Sequence, residues 1–228
     1  MKKDFKIWHI SDTHTYHELL KTPEDIDMII FSGDCSNPRD PYKNQPEVVR
    51  FVEWFAKQPA RYKIMIAGNH DSSIESRLVS KEFIEQYGIT YIENEIVEIA
   101  GYKIFGSPVT PSFGNWCFQK ARAKTSKLWK FITDDVDIVV VHGPPKGVLD
   151  LSERHDRSLE RCGDSALFKR LEKVQPKLVC FGHIHNLKGI KNAGTLKLAT
   201  MDTIFSNGSV VTDNKFGVLS SNGNIISL

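Results

Sequence analysis

Five short hydrophobic runs, spread over most of the chain, are the clearest pattern in the sequence. Apolar stretches of about four to eight residues that end in turn-forming or polar residues are typical of β-strands. The predicted strands are Phe5–Ile10, Ile26–Phe31, Tyr62–Ala67, Val136–Val141 and Leu178–Phe181. The spacing between them leaves room for helices, which is the order expected of an α/β protein.

Helical spacing of apolar residues occurs between these runs. Pro46–Lys57 has a wide apolar face behind a proline, which favours the start of a helix there. Ser165–Val174 shows clear helical spacing, and Leu78–Tyr87 and Trp116–Ile132 show weaker patterns of the same kind. We therefore predict helices over these four segments.

The pattern changes after Phe181, where short alternating runs are separated by turn residues such as Asn-Ala-Gly and Ser-Asn-Gly. These runs predict a meander of strands, partly antiparallel. They lie near Leu187–Lys191, Thr195–Ala199, Ser209–Thr212, Lys215–Leu219 and Asn224–Leu228. Two sheets packed face to face with helices outside accommodate both parts of the chain, so we expect an α/β fold built on a two-sheet mixed β-sandwich. The sequence has no repeats and no linker, which predicts one domain over residues 1–228.

Composition and charge narrow the functional classes. The chain is 40% hydrophobic and 25% charged, and its net charge of +2 comes from residues spread along the sequence. A nucleic acid polymer is therefore not an expected partner, because no basic stripe is visible. The four cysteines lack CxxC spacing and predict reduced thiols. No apolar stretch reaches the length of a secretion signal or of a membrane span, so we expect a cytoplasmic protein with no membrane partner.

Polar fragments rich in metal-binding side chains follow each of the five predicted strands. They are Asp12-Thr13-His14, Gly33-Asp34, Gly68-Asn69-His70-Asp71, Val141-His142-Gly143 and Gly182-His183-Ile184-His185. Residues just past the carboxyl ends of parallel strands converge on one edge of a sheet, so distant fragments can build one pocket. Each fragment alone is typical of an ordinary turn. Together they predict a metal site.

The residue types suit borderline first-row metals, which bind mixed nitrogen and oxygen ligands. The two oxygens of Asp34 can bridge two ions, while Asn69 offers a neutral amide oxygen that adds no charge. His142, His183 and His185 add imidazole ligands. We expect His9 and His17 to have structural roles, because His9 lies inside the first predicted strand and His17 lies beyond the first polar fragment.

The five fragments, in this order, resemble the calcineurin-like metallophosphoesterase superfamily, whose pattern is D-x-H, G-D, G-N-H-D/E, a lone H and G-H-x-H. The resemblance covers Lys6 to His185. Further matches resemble the subgroup of phosphodiesterases that are named for their metallophosphoesterase domain. These matches are Gly101–Pro108, Trp116, His142–Pro145, Asp150 and Arg161–Gly163. The resemblance implies a four-layer αββα fold.

The resemblance also implies two metal ions, divalent or of mixed valence. Manganese is the first expectation, with iron, zinc, cobalt and nickel as alternatives. The ligands implied for one ion are Asp12, His14, Asp34 and His185, and those for the other are Asp34, Asn69, His142 and His183. In such a pair, a bridging water that is acidified to hydroxide attacks phosphorus in line.

The catalytic residues implied by the resemblance are His70 and Asp71. His70 would bind a phosphoryl oxygen, together with Asn69, and protonate the leaving alkoxide, while Asp71 would orient His70. The chain departs from protein phosphatases at Asn37, because they have an aspartate there that supports the catalytic histidine. What supports His70 is therefore left open by the sequence.

These features predict a dinuclear metal-dependent phosphodiesterase that hydrolyses small phosphodiesters, with cyclic nucleotides among the candidates. Two alternatives stay open: a phosphomonoesterase, and a scaffold that keeps the fold without catalysis. All seven implied ligand positions and His70 are filled, which favours an enzyme. The sequence does not predict the oligomeric state, or how the chain after Ile190 takes part in substrate selection.

Overall fold

The first of two main sheets carries three of the five apolar runs that predicted strands. The computed structural model describes residues 4–154, 156–212 and 217–228. The strands of the first sheet are β1 (Lys6–Ile10), β2 (Met28–Ser32), β3 (Tyr62–Ile66), β4 (Thr90–Tyr91) and β15 (Asn224–Ser227). Their order is β15-β1-β2-β3-β4, and all neighbours are parallel except β15, which is antiparallel to β1.

The second sheet is mixed as well. Its strands are β5 (Glu95–Ile99), β6 (Tyr102–Ser107), β9 (Ile138–Val141), β12 (Leu178–Phe181), β13 (Gly194–Lys197) and β14 (Ile204–Asn207). In the order β13-β14-β12-β9-β6-β5, the four central strands are parallel and the two edge strands are antiparallel to their neighbours. The carboxyl ends of β9 and β12 therefore lie at the same edge of this sheet.

The alternation of side chains along β2 shows how the layers pack. Met28 and Ile30 belong to the core between the two sheets, whereas Ile29 and Phe31 belong to the core beneath the helices of the first sheet. A third core covers the outer face of the second sheet. Because both faces of the central strands are buried, their runs are almost wholly apolar. The fold is a mixed α/β sandwich of two sheets flanked by helices, as predicted.

The helices are shorter than predicted in two cases and longer in one. They are α1 (Pro41–Ala56), α2 (Ser72–Glu75), α3 (Lys81–Glu85), α4 (Arg122–Leu128) and α5 (Ser165–Val174), with 3₁₀ turns at Tyr16–Leu19 and Trp129–Phe131. The predicted start of α1 at Pro46 was wrong, because Asp40 caps the helix by accepting from the amide of Tyr42 at 2.9 Å. Within the described residues, no helix is long and apolar enough to cross a membrane.

The C-terminal part differs most from its prediction. β13 and β15 lie where alternating runs predicted strands, but the parallel strand β14 (Ile204–Asn207) was missed. Leu187–Lys191 forms only an isolated bridge, and Ser209–Thr212 likewise makes only isolated bridges. The predicted strand Lys215–Leu219 falls partly outside the described residues. The missed β14 is short and buried, so its sequence lacks the alternation that marks a half-exposed strand.

Two small ladders lie near the ends of the main strands. β7 (Thr110–Pro111) pairs with β8 (Gln119–Lys120), and β10 (Leu151–Glu153) pairs with β11 (Leu159–Arg161). The predicted helix over Trp116–Ile132 is therefore interrupted at its start by a strand. These two ladders contribute side chains to the cavities described below.

His9 and His17 are both buried and make structural contacts. The ring nitrogens of His9 lie 2.7 Å from Ser206 Oγ and 2.9 Å from Ser32 Oγ. His17 packs on Phe51, with ring centres 5.3 Å apart, and its two ring nitrogens have no hydrogen-bond partner among the described residues. Burial, assisted by the charge of Arg50, lowers the pKa of His17 to about 4.

The low pKa of His17 predicts a loss of stability in mild acid. Unfolded chains protonate histidine near pH 6.5, so the unfolded state binds more protons and stability falls as pH drops from about 6.5 towards 4. Between pH 7 and pH 5, the free energy of unfolding should fall by on the order of 1 kcal/mol less in His17→Leu than in the parent protein. Urea unfolding of both metal-free proteins at pH 7 and at pH 5 measures this difference. Val49→Ala is the control and should keep the full pH dependence; an unchanged loss in His17→Leu would refute the prediction.

Candidate metal centre

The site forms where the carboxyl ends of strands from both sheets face each other. Four of its residues have positive φ angles, which turn the chain sharply after a strand: Asp12 at 51°, His14 at 42°, Asp34 at 61° and His183 at 69°. Such angles cost energy in non-glycine residues and cluster at functional sites. Gly33 has φ 101° and packs against the backbone of the loop after β3, so only glycine fits there.

The first group of donors consists of Asp12, His14 and His185, whose ligand atoms all lie within 4.8 Å of one another. The Asp12 carboxylate is held in place from several directions. It accepts from the backbone amide of His183 at 3.0 Å and from the hydroxyl of Ser209 at 2.7 Å, and its Oδ1 lies 3.1 Å from His185 Nε2. Asp12 is fully buried, and these contacts fix the position of its carboxylate without a bound ligand.

The second group consists of Asp34, His142 and His183, again within 4.8 Å of one another. His142 Nδ1 lies 2.8 Å from the carbonyl oxygen of Ser32, to which it donates. Its Nε2 lies 3.2 Å from Asp34 Oδ2 and 3.0 Å from the amide oxygen of Asn69. The carbonyl thus fixes the ring so that Nε2 points at the other donors.

Asp34 links the two groups, because it belongs to the second and also lies close to His14 of the first. Its Oδ1 accepts from the backbone amide of His70 at 2.7 Å, and its carboxylate forms a third group of donors with His14 and His70. All seven residues predicted as ligands are therefore brought together. The cavity beside them measures about 160 Å³ and is lined by His14, Asp34, Asn69, His70, Phe113, Trp116, Ser152, His183, Ile184, His185 and Leu187.

The charges of this cluster fit a divalent cation. Burial lowers the pKa of His14 to about 4 and that of His183 to about 3, so both rings are neutral and can offer a lone pair. Burial also acts against a charged His142, but Asp34 outweighs it and raises the pKa of His142 to about 9. His142 in turn holds the pKa of Asp34 well below its usual range, although burial opposes this. A metal ion beside Asp34 would replace the proton on His142 Nε2, and the resulting set of ionised carboxylates and neutral imidazoles suits first-row metals.

His70 is supported by a backbone carbonyl rather than by an acid. Its Nδ1 lies 3.3 Å from the carbonyl oxygen of Asn37, and its ring centre lies 4.8 Å from that of His14. The side chain of Asn37 points instead to His14, whose Nδ1 lies 3.1 Å from Asn37 Oδ1. The residue that replaces the supporting aspartate therefore orients a predicted metal ligand, and its main chain faces His70.

Among the described residues, no hydrogen bond joins the carboxylate of Asp71 to the ring of His70, so the expected orienting role of Asp71 stays a prediction without a direct contact behind it. Its carboxylate is fully buried. Oδ2 accepts from the backbone amides of Asp34 at 2.9 Å and Gly68 at 2.8 Å, and Oδ1 accepts from the amide of Cys35 at 3.0 Å. Asp71 therefore joins the loop after β2 to the loop after β3, and it acts on the site through the backbone.

Two aromatic residues of the loop between β7 and β8 complete the cavity wall. The Trp116 ring lies 4.2 Å from that of His70, and the guanidinium carbon of Arg39 lies 3.6 Å from the centre of Trp116. Phe113 lies 5.0 Å from the ring of His183. The sequence marked Trp116 only through the subgroup resemblance and gave no role to Arg39 or Phe113. The one local signal for Phe113 and Trp116 was that they form an aromatic pair in a polar loop.

A two-sheet α/β sandwich that gathers carboxylates, an amide and imidazoles at its strand ends defines the class of metallophosphoesterases. The model of the calcineurin-like phosphoesterase family matches residues 5–187, and the chain belongs to this family. Members of the family use divalent metal ions, and the donor groups described above could hold them. The family resemblance predicted from the five fragments is thus confirmed.

Two relatives show different extents of similarity to this chain, and the name of the first agrees with the family. The human metallophosphoesterase domain-containing protein 1 is 32% identical in an alignment 229 positions long. The alignment covers 90% of this chain and 66% of the human protein. A protein of Emericella nidulans described as probable rhamnogalacturonate lyase C is 37% identical over 186 residues, but these make up only 16% of that protein. The chain therefore spans slightly less than two thirds of the human relative.

A solved structure, that of TT1561 of Thermus thermophilus, resembles the fold. Its TM-score is 0.60 at 14% sequence identity, and the match covers 90% of this chain and 89% of that one. Identity at this level shows the fold alone. It agrees with the two packed sheets and their flanking helices.

The position of Asp34 between the donor groups predicts that it matters most for metal binding. We expect Asp34→Asn to keep the fold but to lose most bound metal, because the amide offers only one neutral oxygen to two ions. Elemental analysis after dialysis against manganese measures the metal bound per chain, and circular dichroism tests the folding. Asp135→Asn, an exposed acid paired with Lys103, is the control and should bind as the parent does. Two tightly held ions per chain in Asp34→Asn would refute the bridging role.

Proposed function

We propose that this protein is a metal-dependent phosphodiesterase that hydrolyses small phosphodiesters, with cyclic nucleotides among the candidates. The observation that carries the proposal is the pair of donor groups on either side of Asp34, beside His70, in one cavity. Family membership supports phosphoester hydrolysis in general. The preference for diesters rests on the resemblance of the chain to the subgroup and on Asn37.

The seven donors would hold two ions, with Asp34 common to both. One ion would be held by Asp12, His14, Asp34 and His185, and the other by Asp34, Asn69, His142 and His183. Bound divalent ions supply activation of water and neutralisation of charge on the phosphoryl oxygens. Each ion would have two oxygen donors and two nitrogen donors, because Asp34 is shared. Manganese is our first candidate for such mixed donors.

His70 would hold the proton for the leaving group. The carbonyl oxygen of Asn37 can accept a hydrogen bond from Nδ1 of His70, which fixes the orientation of the ring. The packing of His70 between Trp116 and His14 limits its rotation. A ring fixed in this way can meet the phosphoryl group in one orientation, which is the condition for general acid catalysis.

A phosphomonoesterase is the alternative within the same chemistry. A monoester carries two negative charges and can bind both ions tightly in the ground state, which lowers KM without speeding the chemical step. A diester carries one charge and gains more in the transition state. A scaffold without catalysis is a weaker alternative, because the complete donor set and His70 lie together.

The role of His70 predicts a defect that depends on the leaving group. His70→Ala should keep both metals, and its kcat should fall by about 100-fold for an alkyl diester but far less for a nitrophenyl diester, because only a poor leaving group needs a proton. The two diesters are assayed on one metal-loaded sample. Equal losses would mean that His70 only binds phosphate, and loss of a metal would mean that it is a ligand.

The contact of Trp116 with His70 predicts a smaller defect of the same kind. Trp116→Ala should lower kcat for the alkyl diester by about tenfold and leave metal content unchanged, because a loosely held ring spends less time in the reactive orientation. Trp116→Phe should recover most of the activity. Tyr42→Ala removes an exposed aromatic residue of α1 and is the control. A defect that is equal for nitrophenyl and alkyl diesters would contradict this role.

The preference for diesters predicts a higher kcat/KM for a nitrophenyl diester than for the matched nitrophenyl monoester at neutral pH. Inorganic phosphate should inhibit, since it can bind both ions. Steady-state assays with the same metal measure both substrates. A clearly higher kcat/KM for the monoester would make the protein a phosphomonoesterase instead.

A further inference from the structure

A second cavity of about 380 Å³ lies beside the metal centre. Phe113, Ser152, His183 and Ile184 line both this cavity and the one of about 160 Å³ at the donors. The two cavities therefore meet along these four residues, one of which is a predicted ligand. We call the larger one the side cavity.

The sizes of the two cavities suggest different contents. Sites for small molecules usually measure about 300–1,000 Å³, so the cavity at the donors is too small for more than a phosphoryl group and its nearest atoms. Of these two cavities, the side cavity has the usual size. We propose that it binds the organic group of the substrate, and that Arg122 favours an organic group with its own anionic end. This inference rests on the proposed function, since it concerns the substrate of the same site.

The wall next to the metal centre is apolar. Phe113 remains 54% exposed although it is a large aromatic residue, and Ile184 faces both cavities. Pro111 of β7 and Pro144 after β9 extend this wall. A carbon framework that packs there would remove apolar surface from water at the end nearest the phosphoryl group.

The outer part of the side cavity has an unbalanced positive charge. Arg122 donates to the carbonyl oxygens of Gly163 at 3.1 Å and Cys162 at 2.8 Å, which are neutral acceptors. Within residues 4–154, 156–212 and 217–228, no carboxylate lies within ion-pair distance of Arg122.

The other charged groups of this cavity are already paired. Arg161 lies 2.9 Å from the buried carboxylate of Asp150, and Glu160 lies 2.6 Å from Arg154. Although its charge also acts on Glu160, Arg122 has no ion-pair partner of its own, so it supplies the net charge of the described lining residues. Its two carbonyl contacts hold the guanidinium in one place, so an anionic group would find it already oriented.

Binding of uncleavable probes tests the inference without depending on turnover. Three phosphonates are compared by calorimetry on the manganese-loaded protein: methylphosphonate, its butyl ester, and its ester with 4-hydroxybutanoate, which ends in a carboxylate. The carboxylate ester should bind about fivefold more tightly than the butyl ester, the size expected for an exposed charge pair. Methylphosphonate reports on the metal centre alone.

Two variants separate charge from shape. Arg122→Gln should abolish the preference for the carboxylate ester, whereas Arg122→Lys should keep most of it, because lysine retains the charge. Cys162→Met places a larger side chain in the side cavity and should weaken both esters equally. Methylphosphonate should bind alike to all of these proteins.

Three outcomes would overturn the inference: equal affinities of both esters for the parent protein, a preference that survives in Arg122→Gln, or esters that bind Cys162→Met as tightly as the parent. A protein that binds the probes as expected but hydrolyses no diester would refute the proposed function and leave the side cavity established. The two failures are therefore distinguishable.

Discussion

The need to compensate a buried carboxylate is the constraint on which the site depends. Asp34 is 2% exposed, and a charge in such a place is costly unless nearby groups balance it. In the structure, His142 and the backbone amide of His70 provide this balance. Because these partners come from β9 in the other sheet and from the loop after β3, the charge of Asp34 can be accommodated only when both sheets are packed. The site and the sandwich are therefore one structure.

The loop that carries Asp34 depends on a second buried acid. Asp71 binds the amides of Asp34 and Cys35 on one side and that of Gly68 on the other, so it fixes both loops at their turns. Its own pKa is raised, mainly by burial and also by the charge of Asp34. The acid next to His70 in the sequence thus sets the position of Asp34.

Close packing around the donors restricts the sequence as strongly as the donors do. A Cβ atom at Gly182 would collide with the side chains of Asp12 and Ser11, so the loop after β12 can approach the loop after β1 only with glycine there. That approach lets the amide of His183 bind the Asp12 carboxylate. The Gly-His-x-His fragment therefore contributes a close contact as well as two imidazoles, and both are needed to join the sheets at this edge.

The sequence by itself determined the five apolar strands, the polar fragments that follow them, and the family, because each is a local pattern: an apolar run, a polar fragment directly after it, and a fixed order along the chain. It also determined α5 (Ser165–Val174) to the residue. Only the tertiary structure decided that the carboxylate of Asp71 binds backbone amides of two loops, that the main chain of Asn37 faces the ring of His70, and that β14 joins the second sheet. These depend on partners far apart in sequence, such as Asp71 and Asp34, whose contact has no local signal. The side cavity also had no local signal in the sequence, because Arg122 and the hairpin of β10 and β11 meet only through packing.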